Sequence, residues 1–259
     1  MLPKTQIINL YTSGKSCYEI ATIYNCSAPA IHEILKKSNT PRRSLSIAMT
    51  KYSHNKDYFK VIDTEDKAYF LGLLYADGNI SNNIMSINLQ EKDKHILDSF
   101  KTFINYTGPL TINIKEGNRQ TQWKLSIVSN NLVNDLLIHG IMPLKSFKLT
   151  FPTTIPKELQ HHFIRGYFDG DGCIYVPNNK ADCSFSLVST FELLDSIKVI
   201  LVNELQFNNN NLYNPPKVKG KNVFTLSYYG RKSLIKLREW LYKDATIYLN
   251  RKYDKFFSL

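Results

Sequence analysis

No apolar stretch in this sequence approaches the roughly 18 residues that a membrane-spanning helix needs; the one around Phe70–Ala76 falls far short. No transmembrane helix is expected. The opening Met1-Leu2-Pro3-Lys4 lacks the apolar run and small-residue cleavage site of a secretory signal. The expectation is an intracellular, reducing compartment, the cytoplasm of a bacterium or phage-infected cell or an organelle. Cysteine is scarce, and Cys17, Cys26, Cys173 and Cys183 include no CxxC pair. That argues against a structural zinc site or a disulfide framework and predicts four free thiols. Acidic residues are outnumbered, with 22 Asp and Glu against 33 Lys and Arg, a net +11. A disordered tail is excluded, because 43% of the 259 residues are hydrophobic, enough to bury one large core or two modest ones.

The positive excess is uneven. Residues 1–60 carry nine basic and three acidic side chains, so more than half of the excess sits on less than a quarter of the chain. A polyanion is the natural partner, since each neutralised phosphate releases condensed counterions. Charge alone does not separate DNA from RNA or an acidic membrane, and solubility explains part of it.

Residues 1–40 repeat apolar side chains at helical spacing: Ile7, Ile8, Leu10 and Tyr11, then Ile20, Ala21, Ile23 and Tyr24, then Ile31, Ile34 and Leu35. Breaks at Ser13-Gly14 and Asn25-Cys26-Ser27 predict three short helices. Ser16 and Ser27 are placed as caps, Glu19 completing a capping box with Ser16. The spacing of Ala21, Asn25, Ile31 and Ile34 resembles the helix-turn-helix of site-specific recombinases and small regulators, although any small helical hairpin shares it. The resemblance implies that the third helix enters a DNA groove and presents Ser27, Ala28, His32, Lys36 and Lys37. Residues 41–62, with Arg42, Arg43, Lys51, Lys56 and Lys60, lack sustained periodicity and read as a basic linker, either a plain tether or an arm that follows phosphates.

The remainder is duplicated. Residues 69–80 and 163–174 align at a constant offset of 94, pairing Gly72 with Gly166, Ala76 with Gly170, Asp77 with Asp171 and Gly78 with Gly172. Each copy reads as an apolar helix ending in Asp-Gly, followed by strands, a helix, more strands and a helix; the halves are expected at 63–150 and 151–259. Small residues four apart, Gly72 with Ala76 and Gly166 with Gly170, share a helix face and let the two helices pack backbone to backbone. Asp77 and Asp171 then lie side by side. One Asp-Gly is an ordinary helix-ending turn, but two in register set two carboxylates beside helix-end carbonyls, those of Ala76 and Gly170, an oxygen-rich site suited to a hard cation such as Mg²⁺.

Both segments, Phe70-Leu71-Gly72-Leu73-Leu74-Tyr75-Ala76-Asp77-Gly78 and Ile164-Arg165-Gly166-Tyr167-Phe168-Asp169-Gly170-Asp171-Gly172, resemble the signature of the LAGLIDADG homing endonuclease family. The resemblance covers residues 63–259 and implies an α+β fold: a pseudo-twofold monomer of two αββαββα halves whose antiparallel sheets form a saddle over duplex DNA, here behind a small all-α helix-turn-helix domain. It implies that Asp77 and Asp171 hold the divalent metal. Tyr75 departs from the pattern, where an acid often stands; Asp169 keeps it, and that position is not the family's metal ligand. The resemblance also implies helping lysines near the end of each half. Lys145 and Lys252 are carried over first, with Lys148 and Lys255, at a matching three-residue step, as substitutes.

Strand alternation, independent of the family, separates an apolar from a polar face. Met85, Ile87 and Leu89 alternate with Ser86, Asn88 and Gln90; Leu110, Ile112 and Ile114 with Thr111, Asn113 and Lys115; Trp123, Leu125 and Ile127 with Gln122, Lys124 and Ser126. In the second half Phe185 and Leu187 oppose Ser184 and Ser186, and Lys217, Lys219 and Lys221 lead into a strand through Thr225 and Ser227. Amides, hydroxyls and cations with few acids are the groups that read base edges in a major groove. The leading expectation is a site-specific double-strand DNA endonuclease acting as a monomer on a long asymmetric target. The alternatives are a non-cleaving DNA-binding regulator and an intron RNA maturase. An intein is not expected, because no nucleophile begins the chain and it ends Phe-Phe-Ser-Leu.

Overall fold

A computed structural model describes residues 2–41, 52–113, 121–143, 147–178, 182–218 and 221–259. Arg42, Arg43, Lys51, Ile114, Lys115, Lys145 and Lys219 therefore lie outside the described residues, as does the side chain of Asn113. The chain divides into two compact units, Met1–Ser53 and His54–Leu259. No helix among the described residues is long and apolar enough to cross a membrane. All four cysteines are free.

The first unit holds α1 (Lys4–Thr12), α2 (Cys17–Ile23) and α3 (Ala28–Lys37). Ile7, Ile20, Ile31 and Leu35 fill its core. Gly14 and Asn25 take left-handed backbone at the two breaks, φ +110° and +46°. Ser16 closes the expected capping box, accepting from the Glu19 N–H while Glu19 Oε2 accepts from the Ser16 N–H at 2.7 Å. Ser27 occupies the cap position of α3 without a side-chain bond, contrary to expectation. Pro29 in the first turn has no N–H to offer, and the Ala30 N–H goes to the Ser27 carbonyl. Ala28, expected on the presented face, is buried in the core; His32, Lys36 and Lys37 are exposed.

In the second unit, residues 54–62 are not a tether: Tyr58, Phe59 and Ile62 are buried, the Tyr58 hydroxyl donates to Asp66, and the Phe59 carbonyl meets His139 Nε2 at 2.5 Å. Basic residues masked this short apolar anchor. The halves follow as α4 (Glu65–Asp77), β1 (Gly78–Ser81), β2 (Ile84–Gln90), α5 (Lys94–Phe103), β3 (Thr111–Asn113), β4 (Gln122–Val128) and α6 (Asn130–Ile138), then α7 (Gln160–Asp171), β5 (Gly172–Tyr175), β6 (Ser184–Ser189), α8 (Phe191–Leu205), β7 (Phe224–Tyr229), α9 (Arg231–Leu241) and α10 (Asn250–Phe257). Both sheets are antiparallel, ordered β1-β2-β4-β3 and β5-β6-β7.

Among the described residues the second sheet is one strand short of the expected repeat. Where the first half has β3, Tyr213 forms an isolated bridge to Thr225. Pro215 and Pro216 come one residue later, after Asn214, and cannot donate to a ladder, so the expected strand through Thr225 and Ser227 is confined to β7, and Lys217 stands on a 3₁₀ turn, Pro216–Val218. In both sheets one face is buried, carrying Met85, Ile87, Leu125 and Ile127 in the first and Phe185, Leu187 and Leu226 in the second. Ile112, expected in the core, is 48% exposed on the short edge strand β3.

Candidate active site

The site is built on α4 and α7. Their middles, Ala68–Tyr75 and His162–Asp169, are wholly buried. The small-residue faces meet as the spacing predicts. A Cβ placed on Gly72 would stand 2.0 Å from the Phe163 carbonyl oxygen, and one on Gly166 would stand 2.0 Å from that of Tyr69. Since Tyr69 and Phe163 are repeat partners, the crossing is pseudo-symmetric. One turn on, a Cβ on Gly170 would meet the Ala76 Cβ at 2.2 Å and lie 3.1 Å from Asp77 Oδ2. The Asp77 carboxylate thus projects over the end of the opposite helix, next to Asp171.

The two Asp-Gly termini differ from the expected glycine-enabled turn. Gly78 (φ −75°, ψ 152°) and Gly172 (φ −89°, ψ 160°) are extended. Glycine is needed because each chain leaves its helix directly into a strand, so a Cβ would fall 2.5 Å from the Leu74 carbonyl oxygen or 2.6 Å from that of Phe168.

Asp77 and Asp171 are both exposed at the helix ends. Their charges act together on two groups beneath them, the Tyr167 hydroxyl and the Lys252 ammonium. Lys252 is buried at the start of α10. Its Nζ donates to the Gly172 carbonyl at 2.6 Å, to that of Asp169 at 2.9 Å and to that of Phe168. It therefore covers the negative end of α7, where final carbonyls lack partners within the helix. Burial pushes its pKa down to about 8, against the opposing pull of Asp169, Asp77 and Asp171. Lys255 is exposed, 5.9 Å over the Tyr175 ring, and Lys148 is exposed too.

Sequence reasoning missed the polar network behind this lysine. Arg165 is fully buried, donating to Glu65 Oε1 at 2.6 Å, the Ile247 carbonyl at 3.0 Å, the Leu241 carbonyl at 2.8 Å and His162 Nδ1 at 2.7 Å. Asp169 Oδ2 accepts from the Tyr69 hydroxyl at 2.8 Å and the Leu249 N–H at 2.9 Å; burial raises its pKa to about 6 despite these donors. An arginine amid an apolar helix was the available signal, since a buried charge demands partners. At the repeat-related positions, Leu71 and Tyr75 stand in place of Arg165 and Asp169; Tyr75 packs edge-on against Phe163 and donates to the His139 carbonyl at 2.5 Å.

His162 is kept neutral, its pKa pushed down to about 3 by burial and then by Arg165. With a folded pKa below the unfolded 6.5, its contribution to stability is complete above pH 6.5 and lost as pH falls through about 3. Thermal midpoints of wild type should therefore fall more steeply across that window than those of His162→Gln; parallel curves would contradict the assignment.

The helix-free faces carry the predicted polar rows. Asn79, Ser86 and Ser126 align across the first sheet, as do Asn88, Lys124 and Thr111, and Gln90 with Gln122 and Asn113. Ser86 is a correction: a short side chain on a central strand between Asn79 and Ser126, it is buried. Gln90 Oε1 is buried with no hydrogen-bond partner among the described residues. In the second sheet Ser184, Ser186 and Thr225 are half-buried as placed, and Lys217 and Lys221 are exposed. The unforeseen residues are aromatic and apolar: Tyr175, Tyr213, Tyr229 and Val188 are exposed on this face.

Two exposed carboxylates converging from helix ends, with main-chain carbonyls beside them, form an oxygen donor set that fits a hard divalent cation. The site offers two acids, and among the described residues no group of three or more His, Cys, Asp and Glu gathers to hold a metal, here or elsewhere. The fold and site define a duplicated α+β protein whose paired helices present one acid each. Residues 158–241 match the family model of the LAGLIDADG-like domain. The I-LtrWI LAGLIDADG homing endonuclease, solved bound to target DNA, is similar in structure with a TM-score of 0.50 at 12% identity, over 79% of this chain and 90% of that one. The chain thus carries a LAGLIDADG-like domain within a LAGLIDADG fold. It is also 30% identical over 167 residues to DNA-directed RNA polymerase subunit Rpo1C of Methanocaldococcus jannaschii, and 25% identical over 141 residues to a probable translation initiation factor IF-2 of the same organism. These stretches cover 62% and 52% of this chain but span only 18% and 11% of those relatives.

Proposed function

We propose that the protein is a site-specific, homing-type endonuclease that hydrolyses both strands of a long, asymmetric duplex DNA target as a monomer. The observation that carries this reading is the delivery of Asp77 onto Gly170, beside Asp171, by a helix crossing too close for side chains. In this reading Asp77 and Asp171 hold divalent cations such as Mg²⁺ with the Ala76 and Gly170 carbonyls. A cation there supplies an activated water and stabilises the leaving oxygen. Lys252, fastened under both acids, offsets negative charge at the site.

The helix-free sheet faces supply base readout. Amide and cationic groups of Asn88, Gln90, Gln122 and Lys124 suit purine edges, and the orphaned Gln90 acceptor is a group awaiting a donor. Because both acids come from one chain whose halves differ in sheet size and face chemistry, neither a second copy nor a palindromic site is required. Selection of cleaved members from a randomised duplex library with Mg²⁺ tests the reading. An asymmetric consensus supports it, and a palindromic one contradicts the monomer. Binding without cleavage would move the assignment to a regulator. Preference for structured RNA over duplex DNA would move it to a maturase.

Residues 1–53 add affinity through their exposed His32, Lys36 and Lys37 and the basic stretch that follows, as a tethered second module. A chain beginning at residue 54, which keeps the buried Tyr58 and Phe59, should bind more weakly and with a shallower salt dependence yet still cut at high enzyme concentration. Equal footprints and salt slopes for the two chains would make the N-terminal unit a passive appendage.

A further inference from the structure

We propose that Glu65 and Asp93, two carboxylates of the first half, are positioning residues for Lys252 of the second. The nuclease reading enters only where cleavage is measured. Between α9 and α10 the chain runs through residues 242–249 without helix or strand, so no ladder fixes the place where α10 begins. Acids fix it instead. Glu65 Oε1 accepts from the Thr246 N–H at 2.7 Å and the Ile247 N–H at 3.3 Å, while Oε2 accepts from the Thr246 hydroxyl at 2.8 Å. The same Oε1 pairs with the buried Arg165, whose Nε donates to the Ile247 carbonyl, so this segment is gripped on both its donors and its acceptor.

Two residues on, Asp169 accepts from the Leu249 N–H. Beyond that, Arg251 Nε and Nη2 fork onto the buried Asp93 carboxylate at 3.1 Å. Lys252 is the next residue. Glu65 begins α4 and Asp93 follows β2, so the strap is tied to the first half at two points separated in sequence by 181 and 158 residues. Main-chain capture by a carboxylate, and a bidentate arginine fork, both restrict orientation as well as distance. The ammonium is thus aimed at the end of α7, within reach of the charges of both motif acids, and Glu65 and Asp93 hold it there without touching it. A displacement near 1 Å at a catalytic group is enough to cost roughly a hundredfold in rate.

The test follows the lysine itself in the full chain. Acylation of Lys252 by a water-soluble amine reagent, quantified by peptide mass spectrometry, should be slow in wild type and several-fold faster in Asp93→Ala and Glu65→Ala, with Lys148 as the unchanged exposed reference. In the cleavage assay with Mg²⁺, the same variants should lower kcat roughly tenfold to a hundredfold with KM nearly unchanged. Asp93→Glu, which restores the fork, should recover part of both. If Glu65→Ala fails to fold because Arg165 loses its partner, Asp93→Ala carries the test, as Arg251 is partly solvated. Lys252 equally protected in folded Asp93→Ala and wild type overturns the proposal, as does a loss confined to KM. A wild type that never cuts, with labelling of Lys252 still dependent on Asp93, refutes the nuclease reading and leaves the positioning role standing.

Discussion

Asp77→Asn and Asp171→Asn should each reduce double-strand cleavage by several orders of magnitude while leaving duplex affinity nearly intact. The two side chains are exposed at the helix ends, and neither lies in the buried middle of the crossing, so an isosteric amide leaves the fold unaltered. What changes is the donor set: an amide has one weak oxygen donor and no charge to hold a divalent cation. Binding should survive because, in the proposed reading, phosphate and base contacts are assigned to the sheets and the N-terminal unit and not to these acids. Gel-shift affinity and single-turnover cleavage of the same selected duplex separate the two effects. Undiminished cutting by the double variant would end the endonuclease assignment; a parallel loss of affinity would mean that the acids serve docking rather than chemistry.

Gly72→Ala and Gly166→Ala should each destabilise the protein by more than about 3 kcal/mol, above the usual range for an overpacked core. The added methyl would sit 2.0 Å from a main-chain carbonyl oxygen of the facing helix, and no rotamer change relieves a backbone contact. The helices must separate along their whole buried length, which also carries Asp77 away from Gly170. Urea unfolding monitored by tryptophan and by circular dichroism gives the free energies. Gly14→Ala is the contrast: its Cβ meets nothing within 4 Å, so only the φ of +110° opposes it, at about 1 kcal/mol. Similar losses at Gly14 and Gly72 would mean that the helix crossing is looser than the carbonyl contacts require.

The sequence by itself determined the duplication, the paired glycines, both motif acids and the alternation of the strands. These rest on local periods: small residues four apart on one helix face, apolar residues two apart along a strand, and an exact offset of 94 between copies. The helical unit at the N-terminus was legible for the same reason, down to the Ser16–Glu19 capping box. Only the tertiary structure decided which charges are inside. Local pattern does not separate Lys252 from Lys255, and only the family resemblance ranked Lys252 first; in the structure one is buried against three carbonyls and the other is exposed. Apart from the bond of Arg165 to His162, three residues away, Arg165, Glu65, Asp169 and Asp93 reach their partners across 76 to 182 residues, and such pairings have no period to betray them. The reach of residues 54–62 into the core and the aromatic face of the second sheet were settled the same way, by neighbours distant in sequence. A local pattern records how a segment folds; where a long polar side chain finds its donors and acceptors depends on which backbone ends the packed helices bring beside it.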